Sequence, residues 1–170
     1  MEPSAETGVG PTVPARRRQA NRRAARGVAA LVLLICAAVL VRAATLRPDP
    51  RGYGTHEQVR WGRVASAPCG WLVVYGYPCP TCGMTTAFAH AVRGRWWRAL
   101  LAQPAGFVLA LGTMVATLLS MVVLFTGRWP IGPRVVVSPH WLFLGLLVLL
   151  IGSWAFKLAV GLLNHTWPLR

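Results

Sequence analysis

Acidic residues are scarce in this sequence, since Asp and Glu together number four among 170 residues. They are Glu2, Glu6, Asp49 and Glu57. Hydrolases with paired carboxylates, and carboxylate sites for magnesium or calcium, need acidic groups that lie close together. Charged residues of either sign make up 13% of the chain, whereas soluble domains carry roughly 25%. These two deficits exclude both kinds of site and argue against an ordinary soluble enzyme.

Apolar residues are abundant instead, at 55% of the chain, and they form three long runs. The runs cover residues 28–46, 99–125 and 141–163, and a membrane-spanning helix needs about 20 apolar residues. Backbone groups in a bilayer must bond within their own segment, so each run should be an α-helix. Arg42 and Lys157 lie within the runs near their ends, and we expect both side chains to snorkel to the membrane surface. The sequence thus predicts an all-α integral membrane protein with three transmembrane helices.

Basic residues outnumber acidic ones by 18 to 4, which gives a formal net charge of +14. Residues 1–27 hold six arginines and too few apolar residues for a core. We expect this tail to be disordered and to lie against anionic lipid rather than nucleic acid. The arginines outside the helices divide evenly, eight to each face of the membrane. The dense tail beside the first helix therefore decides the orientation, and we predict a cytoplasmic N-terminus.

We predict that the protein lies in the cell (inner or plasma) membrane and that its chain has seven segments. They are a basic cytoplasmic tail (1–27), a first transmembrane helix (28–46), an extracytoplasmic loop with the cysteines and an interfacial helix (47–98), a second transmembrane helix (99–125), a cytoplasmic loop (126–140), a third transmembrane helix (141–163) and a short C-terminal tail (164–170).

Three of the four cysteines, Cys69, Cys79 and Cys82, lie between the first two apolar runs. The fourth, Cys36, lies in the first run and is expected to pack within that helix. Residues 71–77 are apolar, rich in aromatic and β-branched residues, and bounded by glycine and proline. This composition predicts a short extended or re-entrant piece at the membrane surface.

The motif Cys79-Pro80-Thr81-Cys82 is typical of a helix start, because proline is favoured at the first helical position. Cys79 would then be the N-cap, and Cys82 would lie in the first turn. The predicted helix continues to Val92 and is short enough to lie along the membrane interface. A thiol at a helix N-terminus feels the positive end of the helix dipole, which favours the thiolate.

From the residues alone, four interpretations of the three cysteines remain open. The first is a structural disulfide, which the oxidising extracytoplasmic side would support. The second is a redox pair in which Cys79 is the nucleophile, Cys82 the resolving thiol and Cys69 a relay.

The third interpretation is a zinc site, which needs four nitrogen or sulfur ligands. The fourth ligand would come from His56 in the same loop or from His165 at the end of the third helix. His90 is excluded because it lies eight residues past Cys82, about 12 Å along a helix. In the fourth interpretation the cysteines only help to shape a tight turn.

The stretch over residues 68–87, with Cys-Pro-x-Cys-Gly-x-Thr at its centre, resembles DUF2752, a family of small bacterial membrane proteins of unknown function. The motif positions beside the cysteines are Pro80, Gly83 and Thr85. The resemblance extends to Gln103-Pro104 at the start of a spanning helix and to Asn164 after the last one. Two positions depart from the family pattern, since Thr86 replaces its usual arginine and Gln103 its usual asparagine. The resemblance implies a multi-pass membrane protein and supplies no activity.

Arg95, Trp96, Trp97 and Arg98 form a cluster that is typical of an anchor at the membrane interface. We favour a structural role for the cysteines, as a disulfide or a metal clip, over the alternative of a membrane thiol oxidoreductase. Zinc is the one cofactor that the residues suggest. The expected partners are the lipid bilayer and another membrane protein or a second copy of the chain, with no nucleic acid.

Overall fold

A computed structural model describes residues 13–61, 64–129 and 138–167. The helices are α1 (Val13–Thr45), α2 (Gly70–Tyr75), α3 (Met84–Ala91), α4 (Trp96–Ala102), α5 (Pro104–Thr126) and α6 (Pro139–Leu163), with a 3₁₀ helix at Thr55–Gln58. Strands β1 (Arg60–Trp61) and β2 (Val64–Ala65) form a minimal antiparallel hairpin that pairs Arg60 with Ala65 and Trp61 with Val64.

Three helices are long and apolar enough to cross a membrane, over Arg17–Thr45, Pro104–Thr126 and His140–Leu163. Their most apolar stretches are only 6%, 17% and 11% buried inside the protein. Apolar faces of this extent are stable when lipid covers them. The predicted all-α membrane architecture with three spanning helices is therefore confirmed.

Helices α1 and α5 run antiparallel, because the early part of α1 meets the last turn of α5. Arg26 donates a hydrogen bond to the carbonyl oxygen of Phe125 at 3.3 Å. The end of α1, the start of α5 and the later part of α6 lie together with the cysteines, and we call this the cysteine end of the molecule. Small buried alanines on α3, α4 and α5 let these helices pack closely there.

The N-terminal segment differs from the prediction of a disordered tail. Helix α1 begins at Val13, so residues 13–27 are helical, and residues 1–12 lie outside the described part of the chain. Alanine, arginine and glutamine are good helix formers. Contact with the end of α5 adds tertiary packing, which is what stabilises most helices in proteins.

The second apolar run also differs from its prediction as one continuous helix. It is divided at Gln103 into α4 and α5. Gln103 is extended, with φ −166° and ψ 106°. Pro104 explains the division, because a proline disfavours helical geometry in the residue before it and cannot donate a backbone N–H.

The sequence predicts an extended or re-entrant piece over residues 71–77, and the extended alternative is wrong, because α2 is a short helix there. No residue of α2 is buried, and Trp71, Val73, Val74 and Tyr75 are all exposed. Its aromatic rings pack on one another within the helix, since the centroids of Trp71 and Tyr75 lie 5.3 Å apart. A short exposed apolar helix of this kind suits the membrane interface.

Candidate thiol and metal site

The fold brings together the three cysteines that the sequence singled out. The Sγ atoms of Cys69, Cys79 and Cys82 all lie within 4.8 Å of one another. Those of Cys79 and Cys82 are 3.3 Å apart, at hydrogen-bonding distance, and no disulfide joins them. Cys69 and Cys79 are partly exposed, whereas Cys82 is buried. Cys36, on α1, is not part of this cluster.

The Cys-Pro-Thr-Cys segment forms two tight turns and not the first turn of a helix. The N–H of Cys82 bonds to the carbonyl of Cys79 at 3.0 Å, and that of Met84 bonds to Thr81 at 3.1 Å. The N-cap of α3 is Gly83, with φ 91°, so the prediction that Cys79 caps the helix is wrong. A left-handed residue interrupts a right-handed helix, and for that reason α3 begins only at Met84.

Alternate carbonyl oxygens along the turn each accept a hydrogen bond from a distant side chain. The pairs are Trp154 Nε1 with Pro78 at 2.8 Å, Gln103 Nε2 with Pro80 at 2.7 Å, and Lys157 Nζ with Cys82 at 3.1 Å. Two of these donors come from α6, and the third comes from the break between α4 and α5. The turn is thus fixed from two sides, which holds the thiols in place.

Lys157 does not snorkel to the membrane surface as predicted. Its ammonium group donates to three backbone carbonyls, those of Cys82 at 3.1 Å, Ala102 at 3.0 Å and Gly52 at 3.3 Å. It also lies 5.9 Å from the centroid of the Tyr53 ring. The prediction failed because the segment before α2, the cysteine turn and the end of α4 each supply one carbonyl acceptor inside the protein.

Position 83 requires glycine for two reasons, its left-handed backbone and the lack of room for a side chain. A Cβ atom at this position would lie 2.6 Å from the Gly52 carbonyl oxygen, 2.7 Å from that of Ala102 and 2.7 Å from Lys157 Nζ. All three atoms belong to the carbonyl–ammonium cluster around Lys157, so none can move without loss of a hydrogen bond. The glycine of the motif is therefore explained by the approach of Lys157.

The two cysteines of the motif have different acidities. Burial opposes ionisation of Cys79, but hydrogen bonds from Thr81, Cys82 and Cys69 outweigh it and lower the pKa of the Cys79 thiol. Burial, together with hydrogen bonds to Cys79 and Cys69, raises the pKa of Cys82 to about 12. Cys79 is thus the thiol that ionises first.

The two histidines proposed as the fourth metal ligand do not reach the cluster. His56 lies in the 3₁₀ helix, and His165 follows α6 with φ 54°. In the ranges that the structure covers, no histidine, aspartate or glutamate joins the three cysteines. His90 is also outside the cluster, as expected, and is buried on α3.

The remaining motif residues have structural positions. Thr86 is fully buried, and its hydroxyl lies 2.8 Å from that of Thr55. The Thr55 hydroxyl also accepts a hydrogen bond from the N–H of Asp49 at 3.0 Å. Thr86 therefore links α3 to the segment after α1. Thr85 is partly buried on the same helix.

The predicted interfacial anchor lies at the start of α4. Arg95, Trp96, Trp97 and Arg98 are all exposed. They lie at the cysteine end of the molecule, and their role as a membrane anchor stays a prediction.

Sequence reasoning missed Arg93, which holds the end of α1. Its guanidinium donates to the carbonyl oxygens of Ala44 at 2.8 Å and Leu46 at 2.6 Å, with a longer bond to Ala43 at 3.3 Å. A fourth bond, at 2.6 Å, goes to the carbonyl oxygen of Ala89 on α3, the helix that ends two residues before Arg93. Unpaired carbonyls at a helix end are a general need, but nothing in the sequence indicates which arginine meets it.

The comparisons with known proteins agree with the resemblance seen in the sequence. The family model described as Protein of unknown function (DUF2752) matches residues 69–117, from Cys69 into α5. The predicted resemblance to this family is therefore confirmed over the cysteine segment. No curated protein and no solved structure matches the chain.

Proposed function

We propose that the three thiolates of Cys69, Cys79 and Cys82 hold a thiophilic divalent metal ion, zinc above all, as a structural clip in a multi-pass membrane protein. The observation that carries this proposal is the convergence of all three sulfur atoms within 4.8 Å. Zinc binds sulfur at about 2.3 Å, so sulfurs in a tetrahedral site lie roughly 3.8 Å apart. Small adjustments of the cysteine side chains would reach that spacing.

The third cysteine favours a metal over a disulfide. A disulfide uses two sulfurs and would leave the third without a role, whereas a metal ion uses all of them. Cys69 is the N-cap of α2, while Cys79 and Cys82 lie in the turn before α3. A shared ion would tie these two short helices together at the cysteine end.

The charges around the cluster suit a metal-thiolate centre. Three thiolates and one divalent ion carry a net charge of −1, and the ammonium of Lys157 bonds directly to the carbonyl of Cys82. The acidic residues in the part of the chain covered by the structure, Asp49 and Glu57, lie beside Arg51 and are absent from the cluster. The fourth coordination position would be open to water or to a ligand from a partner.

The proposed setting is the extracytoplasmic face of the cell membrane, with the N-terminus in the cytoplasm. The six arginines of residues 1–27 support this orientation. The exposed apolar residues of α2 adjoin the site and would contact lipid, another membrane protein or a second copy of the chain.

The decisive experiment is metal analysis of the purified full chain in detergent. We expect one zinc ion per chain by mass spectrometry, and a sulfur-to-metal charge-transfer band after exchange with cobalt. Cys69→Ser, Cys79→Ser and Cys82→Ser should each weaken zinc binding at least about tenfold, since each removes a ligand. Cys36→Ser is the matched control and should bind zinc normally. A metal-free wild-type chain that melts at the same temperature with and without added zinc would refute the clip.

One observation favours a second candidate, a thiol-disulfide oxidoreductase. Cys79 is partly exposed with a lowered pKa, whereas Cys82 is buried with a raised one. In such a reaction the Cys79 thiolate attacks a substrate disulfide and forms a mixed disulfide. Cys82 then displaces the reduced substrate, and two electrons leave the pair as the Cys79–Cys82 disulfide forms. A Cys82→Ser variant that traps mixed disulfides in cells would favour this function. If no mixed disulfide is trapped and the wild-type thiols are blocked by bound zinc, the clip is favoured.

A further inference from the structure

A basic cleft lies at the end of the molecule opposite the cysteines, where the early part of α1 meets the end of α5. Its volume is about 420 Å³, and its polar lining comes from Arg18, Asn21, Arg22 and Arg128, with the indole of Trp129 at its edge. None of these residues has a role in the thiol and metal site.

Close packing of the two helices builds this cleft. Gly127 ends α5 in the left-handed region, with φ 65°. A Cβ atom at Gly127 would lie 3.2 Å from Arg26 Nε and 3.5 Å from Arg22 Cβ. Arg26 binds the Phe125 carbonyl and so holds the helices together. Arg18 and Arg22 are four residues apart and share one face of α1, beside Arg128.

Within the described part of the chain, no acidic side chain lies beside the positive charge of the cleft. Among residues 13–61, 64–129 and 138–167 the acidic side chains are Asp49 and Glu57. Both lie close to Arg51, at 2.8 Å and 3.8 Å, at the cysteine end of the molecule. No carboxylate is among the residues that line the cleft, so its three arginines repel one another, and an anionic ligand would relieve that repulsion.

The surroundings of the cleft match a lipid better than a soluble anion. An adjoining depression shares Arg22, Arg128 and Trp129 and continues along α5 to Val122. Phe125, the last residue but one of α5, is 81% exposed. Trp129 is half exposed, and tryptophan prefers the headgroup layer of a membrane. Charge and apolar surface thus follow one another along the helix, as do the headgroup and chains of a lipid.

We propose that this cleft is a specific binding site for an anionic phospholipid. The phosphate would lie among Arg18, Arg22 and Arg128, and the acyl chains would lie along Val122 and Phe125. Basic pockets between membrane helices recognise phospholipid headgroups through the same chemistry. The proposal is independent of the metal clip, because no residue is shared between the two sites.

The test is native mass spectrometry of the full chain in detergent, titrated with phosphatidylglycerol and, separately, with phosphatidylcholine. We expect phosphatidylglycerol to remain bound and phosphatidylcholine to dissociate. Arg22→Gln and Arg128→Gln should each weaken phosphatidylglycerol binding roughly fivefold, since each removes one cation from the phosphate. Arg22→Lys should restore most of the affinity.

Arg23→Gln provides the matched control. Arg23 is next to Arg22 in sequence and carries the same charge, but it does not line the cleft. Its substitution should change the affinity less than twofold. Equal losses in Arg22→Gln and Arg23→Gln would mean diffuse attraction and would overturn the specific site. Equal binding of the two lipids, or displacement of phosphatidylglycerol by an equal concentration of inorganic phosphate, would also overturn it. Should Arg22→Gln fail to fold, Arg18→Gln and Arg128→Gln can be compared with Arg23→Gln in the same way, because both residues are exposed.

Discussion

The ammonium nitrogen of Lys157 donates a hydrogen bond to the carbonyl oxygen of Cys82 at 3.1 Å, across 75 residues of sequence. Lys157 is on the last long helix, and Cys82 belongs to the turn that presents the thiols. Because the same ammonium also binds Ala102 and Gly52, one side chain joins the cysteine turn, the end of α4 and the segment before the 3₁₀ helix. The position of the candidate site therefore depends on α6.

Replacement of this ammonium should loosen the cysteine end. Lys157→Met keeps an unbranched apolar chain close to that of lysine but leaves three carbonyl oxygens without their donor. We expect a loss of roughly 3 kcal/mol in the free energy of unfolding, since each unpaired buried acceptor costs about 1–3 kcal/mol. Thermal unfolding in detergent would measure the loss. Trp154→Phe removes only the donor to Pro78 and should cost about 1 kcal/mol. A Lys157→Met protein as stable as the wild type would contradict the importance of the contact.

A comparison of alanine substitutions at Gly83 and Gly94 separates the cost of a steric clash from the cost of backbone strain. Gly83 and Gly94 both have positive φ, at 91° and 70°. A Cβ atom at Gly94 meets nothing within 4 Å, whereas one at Gly83 meets three atoms within 2.7 Å. Gly94→Ala should therefore cost only the strain of a left-handed alanine, about 1–2 kcal/mol. Gly83→Ala should cost clearly more, at least about 3 kcal/mol, and should lower zinc affinity. Similar melting temperatures for the two variants would show that space at Gly83 is unimportant.

Arg93 should stabilise the end of α1, although it lies on another part of the chain. Arg93→Gln removes the bonds to the carbonyls of Ala43, Ala44 and Leu46. The side chain is exposed, so we expect a loss of about 1–2 kcal/mol. Arg93→Lys should restore little of it, because one ammonium cannot replace the planar fork of a guanidinium. Arg95→Gln is the control, with an expected change below about 0.5 kcal/mol. Hydrogen exchange at residues 40–46 would show whether the loss is local to α1.

The thiols should react with different pH dependences in metal-free, reduced protein. The pKa of Cys79 is lowered by hydrogen bonds from neighbouring groups, so its thiolate, and with it alkylation by N-ethylmaleimide, should appear at lower pH than for an ordinary cysteine. The pKa of Cys82 is about 12, and its rate should still rise at pH 10. Cys82→Ala removes a hydrogen bond from Cys79 and should shift the Cys79 profile upward. Mass spectrometry of the alkylated peptides would give both rates. The same profile for both thiols would contradict the asymmetry.

The spanning helices were predictable because hydrocarbon imposes a local rule. Long apolar runs must be helical wherever water is absent, so α1, α5 and α6 followed from composition. Their ends were less predictable. Helix α1 extends back to Val13, and part of its support comes from the contact of Arg26 with the Phe125 carbonyl, which has no local signal because it spans 99 residues.

The three cysteines of the candidate site could be predicted from the sequence, but the residues around them could not. Spacing and the family resemblance singled out Cys69, Cys79 and Cys82, which the structure brings together. His56 and His165 were chosen from their expected membrane face, yet neither lies in the cluster. The membrane face on which a residue lies determines only its depth in the bilayer. A metal ligand must also be placed correctly within a few tenths of an ångström.

By itself, the sequence determined the class of the protein, its three membrane helices and the residues that carry thiol chemistry, because hydrophobicity and residue type are local properties. Tertiary structure decided that Lys157 turns inward, that Gly83 has no room for a side chain and that Arg93 holds the end of α1. Each of these contacts joins residues 19 or more positions apart. Such contacts depend on how the helices pack, and packing is a property of the whole chain.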